Sequence, residues 1–341
     1  MFRKKIIGIA VAAAMVCSMV SSVNVFAEAG TYYSELTGEA IDSSLQNQRP
    51  IAVMVDNESL AYDHFGMAEA DVVYELMNST ANGRITRLMA MVKDWEKITQ
   101  MGSIRSVRPT NILLAAEWNA VLCHDGGPFY VDQYFAKDYA KEHFSGGFTR
   151  VNNGKSTEFT EYVTAADLDK KFADSGYSKE YNQYRPESDS HFTFVSEGTE
   201  LTLSGTYGNA VAANKVVLPF EHTTSTLQYN QETGTYDYYA YNAQHLDGED
   251  QQPLTFENVI LQNSTYTKLD ENGYLIYNCI DENRDGYYIT NGEAIPITWT
   301  KAGETQITRY YDMSGNELAI NRGKTYISLV PDDIWGSLVI E

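Results

Sequence analysis

Cations are scarce in this sequence. It sets 25 Lys and Arg against 46 Asp and Glu, a formal charge of −21 over 341 residues. Nucleic acids and anionic membrane surfaces are bound through clustered cations, so this balance excludes them as ordinary partners. Cysteine is scarcer still, at three. Beyond Cys17 only Cys123 and Cys279 remain, in the apolar strand-like runs AVLCHD and LIYNCID. One bridge between distant segments is no disulfide framework, and both read as buried thiols. The six histidines are scattered without H-x-x-x-H or paired-Cys spacing, which excludes a zinc site of the usual form. Past residue 27 no run of about 18 apolar residues occurs, so no transmembrane helix remains after processing. No fixed-period repeat or low-complexity tract is present. Proline numbers 8 and tyrosine 25, a balance of strands rather than of a disordered stalk.

The N-terminus supplies a location. Arg3, Lys4 and Lys5 precede the apolar IIGIAVAAAMV, and Val25-Phe26-Ala27 places small residues at −3 and −1. This is a Sec-type signal peptide over 1–27, cleaved after Ala27, and it predicts an exported, cell-envelope protein. Val16 stands where a lipobox requires a small residue, which argues against a lipid anchor at Cys17. The leader removes three cations and no acid, leaving a mature chain of about 314 residues near −24. That length predicts two domains.

Residues 28–48 are polar and patternless and read as a linker. From 49 to 187 the pattern alternates: RPIAVMVDN, VVYEL, RITRLMAMVKDW and NAVLCHDGG as strands, and TNILLAAEW after Pro109, FYVDQYFAKDYAKEHF and TAADLDKKFADSG as helices. This is an N-terminal α/β sheet domain. Residues 188–341 are successive β runs with hairpin signals at Thr233-Gly234, Asn272-Gly273, Asn291-Gly292 and Ser314-Gly315. They predict a mostly antiparallel C-terminal β domain, and the whole is α/β (α+β).

The few arginines are not scattered. GSIRSVRPTN (102–111) places Arg105 and Arg108 in a loop that leads into a helix at Pro109. His124 ends the neighbouring strand, followed by Asp125-Gly126-Gly127, and Arg84 and Arg87 begin another. Guanidinium forks, Ser106, loop amides and a helix N-terminus suit a carboxylate or phosphate, and two glycines admit a ligand to the backbone. A ligand-binding set of Arg84, Arg87, Arg105, Ser106, Arg108, His124, Gly126 and Gly127 follows. The arginines can instead pair internally with Asp56, Glu69, Asp71 or Glu75 and lock loops to the sheet. A catalytic arrangement is also open: His124 as base, oriented by Asp56 or Asp125, with the arginines stabilising an oxyanion. No Ser, Thr or Cys occupies a nucleophile elbow.

Two further motifs arise. Asp281-x-Asn283-x-Asp285-Gly286 begins like a calcium loop, although position twelve is Gly292, and a plain hairpin turn explains it equally. No other cofactor is implied. His245-Leu246-Asp247 reads as a solvated loop or an inter-domain surface, and YDYYAY (236–241) as a strand with one packed and one wet face.

The segments RPIAVMVDN, AEADVVYE, GSIRSVRP, NAVLCHDGG, FENVILQ and YYITNGEAIPITWTK resemble the YerB-type family of exported, often lipid-anchored Gram-positive proteins. The resemblance spans nearly all of 49–332. It implies the two-part α/β and β fold and an envelope location, and it transfers no chemistry. Three functions remain: binding of an anionic small molecule, cell-wall fragment or envelope protein; an envelope hydrolase; and a non-catalytic scaffold.

Overall fold

The computed structural model describes residues 31–186 and 190–341. The leader, its cleavage point and the expected domain boundary at 187/188 lie outside the described residues.

Apolar runs long enough to be buried on both sides make the centre. β1 (Ile51–Asp56), β2 (Val72–Met77) and β3 (Thr86–Val92) are buried at every position, the pattern of strands covered on both faces. β4 (Val121–His124) and β5 (His143–Ser145) extend the sheet beyond β1. The later half contributes β6 (Val211–Ala212), β7 (Asn258–Ser264), β8 (Arg284–Thr290), β9 (Glu293–Thr300), β10 (Arg309–Asp312) and β11 (Thr325–Pro331). All join one eleven-stranded sheet in the order β6-β9-β8-β7-β11-β2-β3-β1-β4-β5, with β10 also on β9. The class is α+β, and β8, β9 and β10 are antiparallel as expected. The halves do not, however, close into separate sheets. β11 runs parallel to β2, with Thr325 opposite Val72 and Leu329 opposite Leu76. Both strands are buried on both faces, so each covers an edge that would otherwise leave a buried ladder unpaired.

A six-stranded sheet that includes Thr226–Asn230 and Thr235–Ala240 packs over this seam. The rings of Tyr238 and Phe256 lie 5.8 and 5.4 Å from that of Tyr326 on β11. Tyr236, Tyr238 and Ala240 are buried, and Tyr239 and Tyr241 are half-buried, as strand alternation requires. A buried ion pair ties the halves again: Lys301 Nζ lies 2.9 Å from Glu117 Oε2, which also accepts from the Thr308 amide and hydroxyl.

Helix α1 (Pro109–Glu117) starts at its proline, where a missing N–H costs nothing. Helix α2 (Ala165–Ser175) has a reciprocal cap, the Thr164 hydroxyl accepting from the Asp167 amide and the Asp167 carboxylate from the Thr164 amide, and Gly176 ends it. The aromatic run 129–144 departs from expectation. It breaks into a turn at Phe129–Val131, one helical turn at Asp132–Phe135 and another turn at Asp138–Ala140. Its aromatics do not share a stripe: Phe129 faces solvent while Phe135 stacks on His143 at 3.6 Å.

The segment expected as a linker is also ordered from Thr31. Strands Thr31–Tyr33 and Ala40–Asp42 form a hairpin. Leu36 within it is fully buried, and Glu35 lies 2.8 Å from the buried Lys93. One apolar anchor and one ion pair replace the periodicity that sequence patterns detect. Gly38 sits at φ +69°, and a Cβ there would stand 2.5 Å from the Phe194 ring. Gly38→Ala is expected to cost about 1–3 kcal/mol, read as a lower urea midpoint, whereas an unchanged midpoint would mean the hairpin is not docked.

Candidate functional site

The carboxyl end of β1 lies beside the amino end of its antiparallel neighbour β3, with Asp56 registered opposite Arg87. The loop 103–107 is laced against them: the Arg105 amide donates to Met54 O at 2.9 Å, and Arg105 O accepts the Asp125 amide at 3.1 Å. Val107 N donates to Gly126 O, so the segments before α1 and after β4 are stitched together. Arg108 then enters α1, its amide donating to the Asn111 side chain. The fold thus brings Asp56, Arg87, Arg105, Ser106, Arg108 and Gly126 to one place.

The charges there do not balance. Arg105 Nε lies 2.6 Å from Asp56 Oδ2, close but not aligned as a hydrogen bond, and its Nη2 lies 3.0 Å from Glu158. Arg87 reaches Asp56 at 3.8 Å and donates to Ser106 O at 2.8 Å. Arg108 has no carboxylate among the described residues within ion-pair distance. It is 9 % exposed, donates to Asn78 O and Val107 O, and packs its guanidinium 4.8 Å from the Tyr274 ring centre. Burial, together with the neighbouring Arg87, pushes Arg108 down to about 9. Burial pushes Arg87 down to about 10. The Arg87 Nε, Asn78 Oδ1 and Asn111 Nδ2 atoms are buried with no hydrogen-bond partner among the described residues. Two buried cations and unused polar atoms around one buried carboxylate form a cation-rich nest.

Arg84 does not belong to it. Its guanidinium forks onto Asp333 at 2.9 and 2.6 Å, tying the two halves of the chain at a different place. His124 also stands apart. Nδ1 lies 2.8 Å from Gly126 O, Nε2 lies 2.9 Å from His143 Nδ1, and the ring stacks on Phe135. Burial pushes it down to about 4. Neither expected orienting acid reaches it, since Asp56 faces the arginines and Asp125 pairs with Arg150 at 3.5 Å. A base–carboxylate couple of the hydrolase kind is therefore not what these residues form. Gly127 serves packing rather than a ligand: a Cβ there would stand 3.1 Å from both Val107 and Val131.

The calcium motif does not assemble. Asp281 Oδ2 faces Arg284 at 3.7 Å, and the described residues hold no group of three or more His, Cys, Asp or Glu placed to share an ion. A hairpin turn accounts for it. Cys123 and Cys279 are free and buried, with both thiols pushed up to about 12 by burial. A cleft of about 590 Å³ lies elsewhere, bounded by Arg185, Pro186, Gln306 and Arg309 among others, and shares no residue with the arginine nest.

Sequence reasoning missed a second polar centre at the seam. Glu75, in the middle of β2, is fully buried. Its Oε1 accepts from Thr86 (2.6 Å), Asn57 (3.2 Å) and Ser225 (2.6 Å), and Oε2 from Tyr238 (2.9 Å) and Tyr326 (2.6 Å). Beside it His64 Nδ1 and His245 Nε2 meet at 2.9 Å, and Asp247 accepts the Ala68 amide. His245 and Asp247 are therefore an inter-half surface and not a solvated loop. A single acid inside the apolar VVYEL was the available signal.

Two family models match this chain in series. The first, described as "Protein of unknown function (DUF3048) N-terminal domain", covers residues 36–178, and its C-terminal counterpart covers 216–327. The chain belongs to the DUF3048 family. A relative from Bacillus subtilis (strain 168), named "Putative lipoprotein YerB", is 24% identical over 305 residues, which is 87% of this chain and 86% of that one. The crystal structure of the Bacillus subtilis YerB protein superposes with a TM-score of 0.74 at 20% identity, covering 91% of this chain and 99% of that chain. At that identity the likeness speaks to the fold. The resemblance read from RPIAVMVDN, GSIRSVRP and the later β segments is thus borne out, and the DUF3048 descriptions assign no activity.

Proposed function

We propose that this chain is an exported envelope protein that binds an anionic ligand, a carboxylate or phosphate, at Arg87, Arg105 and Arg108. The leader over 1–27 and the lipoprotein name of the relative support the location. One observation carries the binding: among the described residues the buried Arg108 side chain has only carbonyl oxygens and a tyrosine face as partners, next to the buried Arg87. An unpaired buried cation weakens the empty protein and is repaid when an anion arrives.

The test is thermal unfolding with inorganic phosphate and lactate, on the unaltered protein and on Arg108→Met. An anion at about 100 times its dissociation constant adds about 2.7 kcal/mol, a rise in Tm of roughly 4 °C for a chain of this size. Arg108→Met is expected to lose that rise while keeping its own stability within about 1 kcal/mol, because the methionine retains the stem packing and sheds a buried charge. A large destabilisation without any anion response would mean the arginines hold loops together, and the scaffold reading would replace this one.

A further inference from the structure

The arginine nest continues outward as a row of aromatic rings. Arg108 packs on Tyr274, the Tyr274 ring lies 6.4 Å from that of Tyr130, and Tyr130 lies 4.0 Å from Phe129. The row bridges the two halves, because the Tyr130 hydroxyl donates to Leu269 O and Asp270 Oδ2 at 3.4 and 3.3 Å. Phe129, at its outer end, is 71% exposed and is the most exposed large apolar side chain among the described residues. It follows Gly126-Gly127-Pro128 directly, so the segment stitched to the arginine loop is the one that presents it. A bare phenylalanine costs solubility and adds nothing to the core, which makes its position beside a cation-rich nest informative.

Resting on the anion-binding reading, we infer that the ligand is a saccharide carrying one acidic group, its acid at Arg108 and its ring against Tyr130 and Phe129. Aromatic faces offer flat apolar area while tyrosine hydroxyls remain at the edge, which matches a sugar ring with apolar faces and a hydroxylated rim. The surroundings narrow the charge. Asp270, bonded to Tyr130, puts a carboxylate beside the row. A carboxylate there accepts hydrogen bonds from neutral hydroxyls and repels additional anionic groups, so a polyanion such as a nucleic acid is disfavoured while a singly acidic sugar is not.

Isothermal titration of the purified protein tests this with three classes of probe. N-acetylmuramic acid and glucose 1-phosphate carry a ring with a carboxylate or a phosphate; lactate and inorganic phosphate carry the acid alone; N-acetylglucosamine carries the ring alone. The ringed acids are expected to bind at least tenfold tighter than the ringless ones, and whichever of the two binds tighter identifies the acid. The neutral sugar is expected to give no measurable heat. Phe129→Ala, at an exposed position, is expected to weaken the ringed acids about tenfold and to leave lactate and phosphate unchanged. Equal affinity for ringed and ringless acids, with Phe129→Ala silent, would overturn the saccharide inference and leave the anion site standing. An Arg108-independent response, or none to any acid, would remove both.

Discussion

Glu75→Leu is expected to lower the stability of the protein by about 3–5 kcal/mol, the cost of deleting one partner from a buried, charged network. The substitution keeps roughly the volume of the side chain, so the loss is one of hydrogen bonding and not of packing. Five donors lose their acceptor at once: Asn57 and Thr86 from the first half, Ser225, Tyr238 and Tyr326 from the second. Each is buried or shielded where water cannot replace the carboxylate. Glu75→Gln should cost clearly less, since an amide oxygen still accepts and hydroxyls can rotate to meet its N–H groups. Urea unfolding followed by circular dichroism reads both. If Glu75→Leu lies within 1 kcal/mol of the unaltered protein, the Glu75 network is not an energetic joint between the halves.

The second large effect is with acid. Four deeply buried histidines are held neutral mainly by burial, His64 well below its ordinary range, His124 and His245 at about 4 and His191 at about 3, and burial lowers the less enclosed His143 in the same direction. The unfolded chain takes up a proton on each near pH 6.5. Stability is therefore present above that pH and is lost as pH falls through it, continuing to about pH 4. Asp71 acts oppositely: burial pushes its carboxyl up to about 7, so the folded chain keeps a proton there that the unfolded one has released, offsetting about one of the four. At about 1.4 kcal/mol per proton per pH unit, stability should fall by roughly 3–4 kcal/mol per unit between pH 6 and 5. Around the pair His64–His245, Asp63 and Asp247 favour the charged form, but they do not outweigh burial, and Lys155 opposes it. Replacing both by glutamine should reduce the slope by about two protons. An unchanged slope in that variant would place the acid response elsewhere.

Much of this was legible before any coordinates. Asp56, Arg87, Arg105 and Arg108 converge because strand ends and the helix start at Pro109 are locally encoded, and α/β sheets gather such ends at one edge. Arg84 was misplaced because its partner, Asp333, lies 249 residues away and leaves no local trace. The broken helix over 129–144 shows that aromatic spacing alone does not specify a helix when individual rings find separate partners, Phe135 on His143 and Phe129 in solvent. The sharing of one sheet between the two halves left no trace in the sequence for a related reason. Alternation reveals that FENVILQ and KTYISLV are strands, but not that they complete a sheet begun near residue 51.

That parallel pairing of Val72–Met77 with Thr325–Pro331 has a consequence for how the protein is made. Nearly the whole chain must be delivered before an early strand receives its neighbour, so the nascent first half carries a raw apolar edge throughout synthesis. Loss of only the last seventeen residues would leave every arginine in place and still return the molecule to that unfinished, adhesive condition.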